Sequence, residues 1–346
     1  YKDGRLFISG DNCIVAVDAY NGTVVWEHGL PDSIRLGAFK NCGSMAATED
    51  YLYVAAAERC VGFDVASGEK KLALCIPADV ATENCEWGYV ASTEDVLLGS
   101  VAKPGANFRI QDVPTQTLIW RDNQPVVTSD ALFALDRHSG KPRWTYTPEQ
   151  GVIINPTIAA AGGRVYCVES RNRETRDVAD GRIKLDALLG KGSNLTALDL
   201  KTGKTLWSQP VDLRQLEHII FLSYARETLL ITGTKNVTIG DKPHVRYDLL
   251  AFDAATGKRL WQSTQTPIPD HILQGPHGEQ VQHSAIVGDT IYNTGFAVKL
   301  RTGEPIPGWK WQKSDKCGTV SMSARCALSR YSNPRMFDLN TGDYVA

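Results

Sequence analysis

His271, His277, Gln282 and His283 are the right side chains to hold a divalent metal. Neutral imidazoles beside a carboxylate or amide suit Zn, Mn or Fe. Their spacing is not itself a ligand motif, so solvated loop histidines are the alternative. Cys42 and Cys317 form a second set. They fall at equivalent places in two repeats, where their thiols could join His283 on a metal. Packing of two small residues where strands crowd together is the simpler explanation of them. Across a ring they would stand too far apart for a disulfide, which needs Cα atoms within about 7 Å. Cys75 and Cys85 flank one connection and are the best-placed pair for such a bond. A third set is the charged run from Glu169 to Asp177, with Arg171, Arg173, Glu174 and Arg176 between. Its mixed signs could meet an anionic sugar or a partner's loop, or pair internally in solvent.

Something must position these side chains, and the strongest pattern in the chain says what. One phrase returns seven times: small residue, apolar residue, Asp, a short variable stretch, Gly, then often Trp four residues on. The clearest copies are Ala197, Asp199, Gly203, Trp207 and Ala251, Asp253, Gly257, Trp261. The others centre on Asp18/Gly22/Trp26, Asp64/Gly68, Asp136/Gly140/Trp144, Lys299/Gly303 and Asp338/Gly342. A phrase recurring at tens of residues marks a repeat architecture. Asp accepting backbone N–H bonds and Gly supplying a positive φ make each phrase a hairpin turn.

Between the phrases lie short β-branched or aromatic runs bounded by Gly, Asp and Asn. The fourth repeat parses as strands at 153–160, 164–169, 195–199 and 204–210. Four-stranded repeats of roughly 40–45 residues predict an all-β fold, a β-propeller of antiparallel blades. Only 183–189 has a helical period. Aligning the first strands gives a ring of equivalent positions: Cys42, Trp87, Asn155, Ile219, Val281 and Cys317. Long insertions at 101–130, 170–194 and 235–248 rise on the same face, which makes it the default site.

The phrase resembles the tryptophan-docking motif of the PQQ-repeat, or quinoprotein-like, propellers, most of all the bacterial envelope PQQ-binding-like type. Trp26, Trp144, Trp207 and Trp261 occupy the Trp position, with Leu72 and Pro307 replacing it in two repeats. The resemblance implies that each Trp packs against the small residue opening a neighbouring motif, and that eight blades complete the ring. The first repeat lacks its first strand and the last stops within its fourth. The 346 residues therefore read as one propeller domain of a longer protein. The family includes dehydrogenases and assembly scaffolds. In the dehydrogenases PQQ and Ca²⁺ lie at the ring's mouth, where Trp87 and Asn155 stand here, but the adjacent cysteine pair of those enzymes is absent. Some propeller lyases use a His-plus-Gln metal site. The resemblance implies a periplasmic, envelope or secreted protein.

Composition narrows the classes further. A net charge of −2 gives no electrostatic footprint for nucleic acid. Apolar stretches are strand-sized, so none spans a membrane. Eight cysteines without a C-x-x-C exclude zinc-ribbon and c-type haem attachment. The resulting expectation is a propeller that binds a protein or glycan through its loop face. A metal-dependent carbohydrate enzyme built on His277 and His283, or a PQQ dehydrogenase, is the alternative.

Overall fold

Each recurrent Asp builds its hairpin as the sequence requires. In the computed structural model the Asp18 carboxylate accepts the N–H groups of Tyr20 and Asn21, and the Gly22 N–H reaches the Asp18 carbonyl at 2.9 Å. Asp199 does the same for Lys201 and Thr202, and its carboxylate also takes the Thr202 hydroxyl at 2.7 Å. The glycine closing each turn has a φ near +70°, as at Gly203 (+69°) and Gly303 (+70°), a region that L side chains adopt at a cost. Lys299 lacks the carboxylate, yet its carbonyl still receives the Gly303 N–H at 2.9 Å. The backbone turn therefore survives where the Asp is lost.

The structure describes residues 1–10, 12–33, 43–106, 125–266, 283–293, 295–309, 321–329 and 335–345. These fall into two compact units. One runs to residue 208 apart from 184–190; the other is formed by 184–190 and the residues from 209 on. Both are antiparallel β. In the first unit, Arg5–Ser9, Cys13–Asp18 and Val24–Gly29 form a three-stranded sheet. Met45–Ala47, Tyr51–Ala56, Arg59–Asp64 and Lys70–Cys75 form a four-stranded one. In the second unit, Ile220–Ala225, Thr228–Ile239, Lys242–Asp253 and Arg259–Gln265 make another. Two three-stranded sheets follow, starting at Ala285–Val287 and Ser321–Met322.

The third and fourth repeats depart from separate blades, because they share one sheet. Val126–Asp136 is long enough to pair with Val96–Ala102 and Pro142–Tyr146 and also to meet Ile153–Ile154 and Arg182–Ile183. A register shift between Ser129 and Ala131 bends it where the pairing changes. The strand predicted at 153–160 is also broken. Asn155–Thr157 forms a 3-10 turn between Ile153–Ile154 and Ala159–Ala161. Pro156 has no N–H to give a ladder, which accounts for the break. The helix predicted at 183–189 shrinks to Leu185–Leu189. The insertion predicted at 235–248 is a hairpin extension, in register from Thr228↔Asp253 to Ile239↔Lys242.

Indoles tie successive hairpins together within each unit. The Trp26 N–H donates to the Val65 carbonyl at 3.1 Å, Trp144 to Leu200 at 2.8 Å and Trp261 to Leu300 at 2.9 Å. Each ring lies over the glycine of the hairpin it meets. A Cβ on Gly68, Gly203 or Gly303 would come within 2.6 Å of the indole. This corrects the expected docking geometry. The small residue opening the motif is the cross-strand partner of the Trp in its own hairpin, as in Ala16↔Trp26 and Ala134↔Trp144. It is small because an indole lies beside it, while the next motif's glycine and carbonyl receive the ring. In the second repeat Leu74, not Leu72, fills the place over Gly140.

Candidate functional site

The insertion after Arg164–Ser170 leaves the sheet at Ser170 and returns at Ser193–Asp199. It is not a free loop. The Asn172 side chain caps the 3-10 turn Arg173–Asp177 by accepting the Glu174 N–H. Arg176 folds back and donates to the carbonyls of Pro148 and Gly151. Lys103 donates to the carbonyls of Arg176 and Val178, and Thr128 to that of Gly181 at 2.8 Å. Gly151 is required there, because a Cβ would lie 2.5 Å from the Ser170 carbonyl oxygen. Arg171, Arg173, Glu174 and Asp177 remain exposed on this anchored segment, with Lys191 pairing Glu174 at 2.7 Å.

Below the insertion the same strands carry a buried acid. Val165, Cys167 and Glu169 alternate onto one face, and all three are buried. The Tyr146 hydroxyl donates to Glu169 Oε1 at 2.6 Å, and the Cys167 thiol lies 3.8 Å from the same oxygen. Burial pushes the Glu169 carboxyl above its ordinary value; bonds from Tyr146, Thr196 and Cys167 pull the other way, and the charge of Glu149 adds to the rise. Burial also raises the Tyr146 phenol, with Glu169 next to it as the second cause. Nearby, burial raises Asp130 against the opposing pull of Lys103, and lowers Arg182 to about 10. The sequence points to Glu169 as the start of the charged run and, through the family resemblance, as a candidate Ca²⁺ ligand, but not as a buried acid. The signal was its phase, an acid aligned with apolar Val165 and Cys167.

Of the sequence-predicted site residues, Trp87, Asn155 and His283 are described. Trp87 is wholly buried, edge-on to Phe133 at 4.8 Å between centroids, with its indole N–H on the Tyr89 carbonyl at 2.7 Å. A flat quinone stacked on Trp87 would require that enclosure to open, so the residue as placed does not fit the group. Asn155, also fully buried, accepts the Ser129 hydroxyl at 2.6 Å, and Ser129 reaches Ser100 at 2.8 Å. Its Nδ2 has no hydrogen-bond partner among the described residues. Gly88 leaves room for the two hydroxyls, since a Cβ there would lie 2.6 Å from Ser100 Oγ.

His283 belongs to the second unit. Its ring lies 4.5 Å from that of Phe221, its Nδ1 is 2.8 Å from the Ser284 carbonyl, and burial lowers its pKa. His271, His277, Gln282, Cys42 and Cys317 lie outside the described residues. No group of three His, Cys, Asp or Glu arranged to hold a metal occurs among the described residues. Cys75 and Cys85 are both free thiols, not the expected disulfide, and line one cavity of about 430 Å³. Among the described residues, no helix is long and apolar enough to cross a membrane.

Two overlapping stretches, residues 117–266 and 184–306, match the family model of the outer membrane protein assembly factor BamB; together they exceed half the chain. A stretch of 137 residues is 31% identical to the quinohemoprotein alcohol dehydrogenase ADH IIB of Pseudomonas putida. That stretch is 39% of this chain and spans only 18% of the enzyme. Among solved structures, the quinohemoprotein alcohol dehydrogenase of Comamonas testosteroni is similar over 99% of this chain and 65% of its own, at 12% identity and a TM-score of 0.54. Hydrazine synthase of Kuenenia stuttgartiensis is similar over 98% of this chain and 93% of its own, at 10% identity and a TM-score of 0.53.

Proposed function

The chain belongs to the PQQ-repeat family of the outer membrane protein assembly factor BamB, and from that premise we propose that it is a partner-binding β-propeller of the bacterial cell envelope. Its site is the loop face of the first unit, its ligand a protein segment, and its complete ring one of eight blades. The observation that carries this reading is the anchored 170–194 insertion. Arg176, Asn172 and Thr128 fix its backbone, so Arg171, Arg173, Glu174 and Asp177 are displayed on a frame that is already ordered. A surface ordered before contact avoids much of the entropy cost of binding. Mixed charges favour a partner of matching pattern and penalise mismatched ones.

The test is chemical crosslinking in intact cells of the source bacterium. The double substitution Arg171→Glu with Arg173→Glu should abolish crosslinked protein partners while leaving the melting temperature unchanged. Undiminished crosslinking at this face would remove the reading, and capture of a glycan instead would replace its ligand.

The similarity to the Pseudomonas putida enzyme supports a second reading, PQQ-dependent oxidation. It rests on that stretch and on the Asn155 amide nitrogen, which has no partner among the described residues. Titration with PQQ and Ca²⁺ decides it: saturable binding that Asn155→Ala weakens would favour the oxidoreductase. A metal site holding His277, Gln282 and His283 with Cys42 and Cys317 is decided by elemental analysis of the purified chain.

A further inference from the structure

The ends of Pro142–Tyr146 and Arg164–Ser170, with Ser193–Asp199 and Thr205–Val211, surround a cavity of about 280 Å³ in the first unit. Every described residue lining it has a polar side chain. Tyr146, Thr205 and Ser208 bring hydroxyls, Gln150 and Asn194 bring amides, and Glu149 and Glu169 bring carboxyl groups. No Lys, Arg or His lines it among the described residues. Glu169 is only 6% exposed and is held by the Tyr146 hydroxyl. Ser208 is in turn fixed by Thr196 at 2.9 Å.

The rim is rigid as well. Arg176 ties down the carbonyls of Pro148 and Gly151, and the Gly151 N–H donates to the Ser170 carbonyl at 3.1 Å. The space lies just below the ~300–1,000 Å³ typical of ligand pockets. An apolar occupant would leave a ring of polar groups unpaired. An anionic occupant would face two carboxyl groups with no cation among the described lining residues to offset them. What fits is a compact molecule rich in O–H or N–H groups and free of negative charge.

We infer that this cavity binds a monosaccharide-sized, polyhydroxylated ligand, neutral or amine-bearing, and discriminates against its acidic counterparts. Acceptors on Glu169, Glu149, Asn194 and Gln150 take its hydroxyl protons, while the amide N–H groups and serine hydroxyl donate to its oxygens. The cavity lies at the foot of the insertion, whose end residues Ser170 and Asn194 line it, and its ligand is distinct from the protein partner proposed for the exposed charges.

Ligand-detected NMR and calorimetry on the full chain test it, using glucose, glucosamine, sorbitol and glucuronate. At least one of the first three should bind at millimolar concentration or better, and glucuronate at least tenfold more weakly. Ser208→Leu, at an exposed wall position, should weaken the binding at least tenfold with an unchanged melting temperature. Glu149→Gln, also exposed, should narrow the gap between glucose and glucuronate. Failure of glucose, glucosamine and sorbitol all to bind, binding indifferent to Ser208→Leu, or equal affinity for glucuronate would each overturn the inference.

Discussion

The indole N–H of Trp144 donates to the carbonyl of Leu200 at 2.8 Å, while its ring covers Gly203 of the same turn. One side chain thus joins two successive repeats through a hydrogen bond and through packing. Trp144→Ala removes both and leaves a buried carbonyl without its donor. The expected cost is about 3–5 kcal/mol, as for other buried aromatic truncations. Trp144→Phe keeps most of the packing and loses the hydrogen bond, worth about 0.5–1.5 kcal/mol. Urea denaturation should rank the wild type above Phe and Phe well above Ala. Equal midpoints for Phe and Ala would mean that the ring contributes little.

Gly22 and Gly203 separate the two reasons for a glycine in this turn. Their φ angles are +76° and +69°, so alanine meets the same backbone penalty at both, about 1–2 kcal/mol. A Cβ on Gly22 meets nothing within 4 Å, whereas on Gly203 it lies 2.6 Å from the Trp144 ring. Gly203→Ala should therefore lose a further ~1–3 kcal/mol through overpacking. Thermal melts of the two variants give the difference directly. Equal losses would show that the ring yields without cost.

That contrast also shows where the sequence was legible. Turn chemistry is local, so Asp199, Gly203 and their siblings announced the hairpins, and the hairpins announced the repeat. The direction of docking was not local. Ala134 and Trp144 face each other across one hairpin, but nothing in their spacing says which glycine the indole then covers. The 235–248 segment read as an insertion because it was measured against the repeat length. Its residues simply continue the alternating pairing of a hairpin around Gly240. The cavity beside Glu169 needed four strand ends to meet, and only the acid's apolar phase hinted at it.

Glu169 makes stability depend on pH in a defined direction. Burial raises its folded-state pKa above the ordinary 4.5. Between 4.5 and that raised value, the folded chain holds a proton that the unfolded chain has released. Stability from this group is therefore full below 4.5 and declines as pH rises through the window. Glu169→Gln stays neutral and can still accept the Tyr146 hydroxyl. The melting temperature of the variant relative to wild type should climb as pH rises from 4 towards neutrality. A flat or falling difference would mean that the hydrogen bonds from Tyr146, Thr196 and Cys167 outweigh burial.

Arg176 is the strut between the charged insertion and the loop below it. Its guanidinium donates to the carbonyls of Pro148 and Gly151, so both segments lose an anchor in Arg176→Ala. The side chain is exposed over much of its length, and the capping of Asn172 and the Thr128 bond to Gly181 remain. Global stability should therefore fall by about 1–2 kcal/mol, since hydrogen bonds to a charged group are worth roughly 1.5–3 and part of that is regained from water. Local protection should fall further. Amides of residues 171–178 should exchange at least tenfold faster, because opening this segment no longer breaks those bonds. Gly151→Ala acts on the same contact from below by driving a Cβ into the Ser170 carbonyl. It should accelerate exchange over the same residues. Unchanged protection in both variants would show that the insertion is ordered by other contacts, and the rigidity on which partner binding depends would have to come from elsewhere.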